Sequence, residues 1–494
     1  MLVKSPLSLK CCKKSALVKS GLLVLSALGS TTVIADIQPQ SASLNYSQKA
    51  LSNAGNPAAA ALVIKRKDPH VMTGGSIEIG AGLEYGDLDE LFSKIDDISN
   101  AFKPPEDDGS NPPPPPTPEN PIRDYTWDDL LLEYPELADR LDALEDKVVS
   151  AAGLLALIAS EGYGKAEATS NASFVLNEDL YGGSLLMSMA LKGNAKVVGL
   201  LETIEFDSDQ ALEALKTIPE FDETDPIQEL DLSGGISLFY NPANQKVKLH
   251  IDNDSLLLVK STKIMEFSFA YSKQAYESDA GALYWGVKPT FYRVGLTNVS
   301  ARLGEVTDAE AIFEDIKNAD YVYKNGFDFD FGAVWAAPHY QLGATLTNVI
   351  ENTYRFPELD REKFNSPKIL QQLDHHSEFT MQRQVKFEAG IFTEQRHWSL
   401  HAELDANPVE DPMRDRYQWL TVTAGYAADS WWLPSARVGF SRNLAGTKLG
   451  YLNAGVTFMK FVNLDVATTL DTVTLDGEKY RRGINVRLGV QFDY

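Results

Sequence analysis

The most regular pattern of apolar and polar positions lies at Gly483–Tyr494. Ile484, Val486, Leu488, Val490, Phe492 and Tyr494 fall on one parity; Asn485, Arg487, Gly489, Gln491 and Asp493 fall on the other. Successive side chains of a strand point to opposite faces, so this stretch predicts one apolar face and one polar or small face. Ser76–Tyr85 repeats the pattern, with Ile77, Ile79, Ala81, Leu83 and Tyr85 opposed to Glu78, Gly80, Gly82 and Glu84. Between them, strands are expected at Ser233–Tyr240, Lys246–Ile251, Lys263–Ser272, Ala282–Thr297, Asn325–Trp335 and Tyr340–Val349. Others are expected at Gln384–Thr393, Trp398–Asp405, Gln418–Ala427, Ala436–Arg442, Lys448–Met459 and Asn463–Leu470. Gly162–Leu201 is ambiguous, with strand-like runs at Ala172–Leu176 and Gly183–Leu191. Alternating strands of about ten residues between turn residues are the signature of a transmembrane barrel.

The expected fold is therefore all-β: an antiparallel transmembrane β-barrel of about 14 strands, give or take two, since Ala282–Thr297 reads as one strand or two. Ser76–Tyr85 would pair with Gly483–Tyr494 to close it. Phe492 and Tyr494 would supply the interfacial aromatics of that closing strand. Glu78, Glu84, Glu403, Asp405, Arg437, Arg487 and Asp493 would point into the lumen. The polar connections 301–324, 351–383 and 406–416 read as loops.

The remaining segments fill out the domain plan. Lys4, Lys10, Lys13, Lys14 and Lys19 precede an apolar run ending at Val33-Ile34-Ala35, so residues 1–35 read as a cleaved secretory signal. Residues 36–72 read as a loosely held N-terminal arm, 73–86 as the first barrel strand, 87–170 as a helical and proline-rich insert, and 171–494 as the remainder of the barrel. Within the insert, Asp87–Phe102 reads as an acidic helix and Pro112–Pro116 as an extended linker. A helix starting at Pro135 carries Leu137, Leu141, Leu144 and Val148 in a stripe. That stripe would dock a partner, cover the chain's own barrel or pair with Asp209–Thr217.

Charge and cysteine usage remove several functions. The formal net charge is −24, from 45 Lys and Arg against 69 Asp and Glu, which argues against nucleic acid as a partner. Both cysteines, Cys11 and Cys12, lie in the expected signal, so the mature chain would hold no disulfide, thiolate–metal site or cysteine nucleophile. No cofactor is expected. His397 and His401 would lie about 13 Å apart on a strand, too far to share a metal. His375-His376 reads as part of a charged loop. Asp252-Asn253-Asp254 starts like a calcium loop but lacks its glycine and glutamate. Ser399, His401 and Glu403 share a strand face, which is the whole case for a hydrolase; ordinary lumen-facing polar residues are the simpler reading.

The order of several short motifs resembles a known family. They are Asp87-Leu88-Asp89-Glu90-Leu91-Phe92, Trp285-Gly286-Val287-Lys288-Pro289-Thr290-Phe291-Tyr292-Arg293 and Phe329-Asp330-Phe331-Gly332-Ala333. Leu342-Gly343-Ala344-Thr345-Leu346-Thr347-Asn348-Val349 and Ala402-Glu403-Leu404-Asp405-Ala406-Asn407 follow. Together with the closing strand they resemble the conjugal transfer TraF family of secreted outer-membrane barrels, related in fold to the FadL and PorV group. The chain is not similar to the thioredoxin-like conjugation protein of the same name, which needs cysteines. The resemblance implies the outer membrane as location, lipid and the barrel-assembly machinery as partners, and an association with a conjugation apparatus. The expected function is thus a non-enzymatic component or accessory of plasmid transfer. Passive, FadL-like transport of small hydrophobic compounds is the alternative, and an outer-membrane hydrolase a remoter one.

Overall fold

The computed structural model describes residues 55–66, 72–86, 163–202, 226, 228–231, 236–241, 246–251, 254–302, 318–475 and 478–493. The expected signal, the proline tract and the helix at Pro135 lie outside the described residues, as does Tyr494.

A closed antiparallel barrel of fourteen strands makes up most of the described chain. In chain order these are β1 (Gly75–Tyr85), β2 (Tyr163–Leu180), β3 (Gly183–Leu200), β4 (Leu256–Ser278) and β5 (Gly281–Arg302). They continue with β6 (Val322–Ala336), β7 (Tyr340–Thr347), β8 (Gln384–Phe392), β9 (Trp398–Asp405) and β10 (Trp419–Tyr426). The wall ends with β11 (Ser435–Asn443), β12 (Gly450–Phe458), β13 (Val462–Thr469) and β14 (Gly483–Phe492). Each strand pairs with its sequence neighbour, and β14 pairs with β1 from Gly75↔Phe492 to Glu84↔Gly483, which leaves no edge.

The count agrees with the expectation, but the membership does not. Ser233–Tyr240 and Lys246–Ile251 were expected in the wall. Instead, strands at Gln228–Asp231, Ile236–Asn241 and Lys246–Ile251 form a separate three-stranded sheet. The ambiguous stretch Gly162–Leu201 supplies the two missing wall strands, β2 and β3. Ala282–Thr297 falls within one uninterrupted strand, β5, of 22 residues.

The alternation does what lipid demands. Ile77, Ile79, Phe387, Ile391, Val438, Leu452, Ile484, Val486 and Leu488 point outward and are exposed, Val438 at 61%. Aromatics ring the wall near one rim, among them Trp285, Tyr340, Trp398 and Trp432. An outward apolar band flanked by aromatics is the surface of a membrane-spanning barrel.

The two rims differ. At one, strands join through short turns, such as the two-residue hairpin Tyr181-Gly182, in which both residues have positive φ (52° and 78°). That geometry matches the twist of the flanking strands and suits glycine at the second position. At the other rim lie the long connections 86–162, 201–255, 303–321, 348–383 and 406–418.

Candidate functional site: the lumen and its two closures

At the short-turn rim, the N-terminal segment folds into the lumen. The expected loose arm is, over residues 55–66, a buried element. Helix α1 (Ala59–Arg66) and the residues just before it are packed from Asn56 to Ile64, with Ala58 to Ile64 at most 7% exposed, while Lys65 reaches the surface. The apolar run Ala58-Ala59-Ala60-Ala61-Leu62-Val63-Ile64 lies against the wall, with Tyr284, Val334 and Ala336 on one side and Val175, Leu186 and Ala270 around Ile64. Asn56 anchors it: Nδ2 donates to the carbonyls of Ala333 and Ala344 at 3.2 Å each, and Oδ1 accepts from the Ala58 amide at 3.0 Å. The Ala61 amide donates to Ser272 Oγ at 2.9 Å.

The wall is hollowed to receive it. A Cβ on Gly286 would stand 2.5 Å from the Pro57 backbone, and one on Gly332 2.0 Å from Asn56 Oδ1. Any side chain at either position would collide with the segment. These glycines sit in two of the motifs on which the family resemblance rests.

At the long-loop rim, two connections fold inward. In the first, Tyr354, Phe356, Phe379 and Met381 pack against the inward residues Ile264, Tyr292, Val294 and Leu296. Asp328 Oδ1 accepts from the Ile350 amide at 2.9 Å, and Asn352 Nδ2 donates to Asp328 Oδ2 at 3.2 Å. The same connection carries helix α2 (Pro367–His376), capped by Ser366, whose Ile369 and Leu373 pack on Leu200, Leu256 and Leu258. His375 and His376 thus end a helix rather than sit in an irregular loop. Burial, with Lys260, His375, Lys196 and Arg414 adding to it, pushes His376 down to about 3.

The second connection, 406–418, dips to the lysines of the wall. Lys165 Nζ lies 2.5 Å from Asp411 Oδ2 and 2.8 Å from Asp415 Oδ2, while Lys196 bridges to the other Asp415 oxygen. Burial alone would raise the Asp415 carboxyl, but Lys165 and Lys196 outweigh it and hold Asp415 well below the usual range. Arg414 Nε donates to the His375 carbonyl at 2.9 Å, tying this loop to α2.

Between the closures the lumen is lined by ion pairs. Arg437 meets Asp465 at 3.0 Å, Lys288 meets Asp330 at 2.8 Å, Lys192 meets Glu266 at 2.6 Å, and Arg487 lies 3.5 Å from Glu78. Glu84, 6% exposed, accepts from Tyr163 Oη at 2.6 Å and from Tyr451 Oη. Asp405, also 6% exposed, accepts from the Trp419 amide at 2.8 Å. Glu403 faces Glu388 and Thr421 across β8 and β10.

The other candidate residues are placed as follows. On β14, Ile484, Val486, Leu488 and Val490 lie on the outer face, and Phe492 packs on Phe174 with ring centroids 6.0 Å apart. Asp493, expected in the lumen, is exposed beyond the end of β14, where it accepts from the Gly74 amide at 3.2 Å. His397 lies at the short-turn rim with Nε2 2.7 Å from Asp429 Oδ2, whereas His401 is buried with its ring 5.2 Å from Phe392. Ser399, His401 and Glu403 stay in line along β9, spaced by roughly 6.6 Å per pair of residues rather than converging. Asp254 accepts from the Ser366 amide at 2.5 Å and pairs with Arg302. Asp252 and Asn253 lie outside the described residues.

Solved barrels of similar shape are known, all at low identity. A Pseudomonas aeruginosa FadL homologue matches with TM-score 0.37 and 10% identity, over 89% of this chain and 93% of that one. The Ralstonia pickettii toluene transporter TbuX matches with TM-score 0.37 and 10% identity, over 95% and 97%. A deletion mutant of the monoaromatic hydrocarbon channel TodX gives TM-score 0.40 and 9% identity, over 90% and 95%. Likeness at these scores carries no weight for function. No curated protein matches the chain. A family model described as "F plasmid transfer operon, TraF, protein" matches residues 53–405, from just before the lumen segment to the last residue of β9. The chain therefore belongs to that TraF family.

Proposed function

We propose that the protein is a non-enzymatic outer-membrane barrel serving as a component or accessory of a conjugative plasmid-transfer system. The observation that carries this reading is the family match over residues 53–405. The outward apolar band supports the membrane location. In bacterial outer-membrane barrels short turns face the periplasm and long loops the exterior, so the segment 55–66 would close the inner mouth and the two inward-folded connections the outer mouth.

Passive transport of hydrophobic compounds is the second reading. Against it stands the lumen wall, which sets the buried Arg437–Asp465 and Lys288–Asp330 pairs on the face an apolar solute would meet. The test is a clean deletion in a donor strain, with transfer frequency scored per donor and complementation by the full chain. A drop of at least tenfold, restored by complementation, is expected. Transfer at the parental frequency would remove the conjugative role, while loss of growth on a hydrophobic carbon source would favour transport.

A further inference from the structure

Lys165, Lys196 and Lys260 stand directly opposite one another across β2, β3 and β4, facing the lumen at the long-loop rim. All three are buried, at 2%, 8% and 1% exposed. Like charges directly opposite on a sheet face repel, and burying them adds a desolvation cost, so the row persists only where something anionic meets it. In this structure that something is chiefly the chain's own 406–418 loop, with the buried carboxylate of Glu84 on the wall also acting on Lys165. Asp411 and Asp415 neutralise two of the three charges. The third lysine, Lys260, whose burial disfavours the charged form, is directed at a carbonyl instead, its Nζ donating to Pro412 O at 2.8 Å from 4.0 Å above the Phe356 ring. Aromatic side chains complete the cradle: Lys165 Nζ donates to Tyr417 Oη at 2.5 Å, and Lys196 Nζ lies 4.7 Å from the centroid of the Tyr163 ring. His376, held down first by its burial and then by Lys260, His375, Lys196 and Arg414, closes the site from the opposite side.

We propose that this lysine row is a binding site for a small organic polyanion, and that Asp411 and Asp415 occupy it as an internal stand-in which such a ligand displaces. The geometry favours a ligand with several carboxylates, because the loop presents two carboxylates and one carbonyl to three lysine Nζ atoms on adjacent strands. Release of the loop would then follow from occupancy, since ligand and loop compete for the same Nζ atoms. The proposal is independent of the conjugative role.

The test is calorimetric titration of the full chain in detergent with citrate, with acetate as the monoanion control. Wild type is expected to bind citrate weakly, Asp411→Asn at least tenfold more tightly, and Lys260→Met not at all. Asp411→Asn retains Asp415 across Lys165 and Lys196, and Lys260→Met leaves both loop aspartates paired, so both are expected to keep the heat-modifiable mobility of a folded barrel. Equal affinity in wild type and Asp411→Asn, or binding unaffected by Lys260→Met, would overturn the proposal. Should Asp411→Asn fail to fold, wild type against Lys260→Met decides: citrate binding lost in the variant supports the site, and binding equal or absent in both refutes it. Binding of the free peptide Asp-Pro-Met-Arg-Asp without binding of citrate would also refute it, in favour of an acidic protein segment.

Discussion

The two arcs of the barrel wall are built to different purposes. Strands β7 to β14 are 8 to 10 residues long, close to the 9–11 or so that a tilted strand needs to cross a bilayer. Strands β2 to β5 run to 18, 18, 23 and 22 residues. At about 3.3 Å per residue the longest would reach roughly 76 Å, so much of this arc stands clear of the membrane. The short arc meets lipid outside and ion pairs inside, and its alternation is clean. On the raised part of the long arc both faces are covered: Leu256, Leu257, Leu258 and Val259 are all buried in succession. Strands buried on both faces need no alternation. The long arc also holds the lysine row and, together with β6, the surface that receives the N-terminal segment. One arc is wall, the other is wall plus site.

Three substitutions sharpen that contrast. The largest effect is expected on the lipid face of the short arc. Val438→Arg puts a charge where the side chain is 61% exposed to the bilayer, and should cost about 2–4 kcal/mol. Urea titration of folding into lipid vesicles measures it; a cost near zero would mean that this face does not meet hydrocarbon.

Next comes the seat of the N-terminal segment. Gly332→Val places methyls where Asn56 Oδ1 stands and should cost about 1–3 kcal/mol by overpacking. The barrel itself should persist. Limited proteolysis should then cut within residues 55–66 while the heat-modifiable band stays; uncut protein would show that the segment is held by something other than this seat.

The last effect concerns acid. His376 is neutral in the folded protein down to about 3, whereas an unfolded histidine takes up its proton near 6.5. The unfolded or opened state therefore binds more protons between these values, and the inward-folded loop loses stability as pH falls through that window. Hydrogen exchange at α2 should quicken from pH 6.5 to pH 4, and His376→Asn should flatten the profile. An unchanged slope in the variant would assign the acid response to other groups.

How much was legible in the sequence follows from the same contrast. The strands from Val322 to Phe492 were readable because one face meets lipid and the other a polar lumen, which writes a period of two into the residues. Gly162–Leu201 was not, because the raised ends of β2 and β3 mix Lys196 with Val197 and Val198 under burial on both sides. Ile236–Asn241, within which most of the expected Ser233–Tyr240 falls, and Lys246–Ile251 are strands, but strand propensity does not say which sheet a strand joins. The glycines of the Trp285-Gly286 and Phe331-Gly332 motifs were visible, but nothing local disclosed that they seat Asn56 and Pro57.

The sequence by itself determined an all-β barrel, its closing pair and the sign of each face of the short strands, because these depend on parity and on the solvent each face meets. Only the tertiary structure decided what fills the lumen. The N-terminal segment, the 348–383 and 406–418 connections and the row Lys165–Lys196–Lys260 come from distant parts of the chain. They meet because strand register sets residues side by side and loop closure turns segments inward, and neither leaves a periodic trace in the sequence.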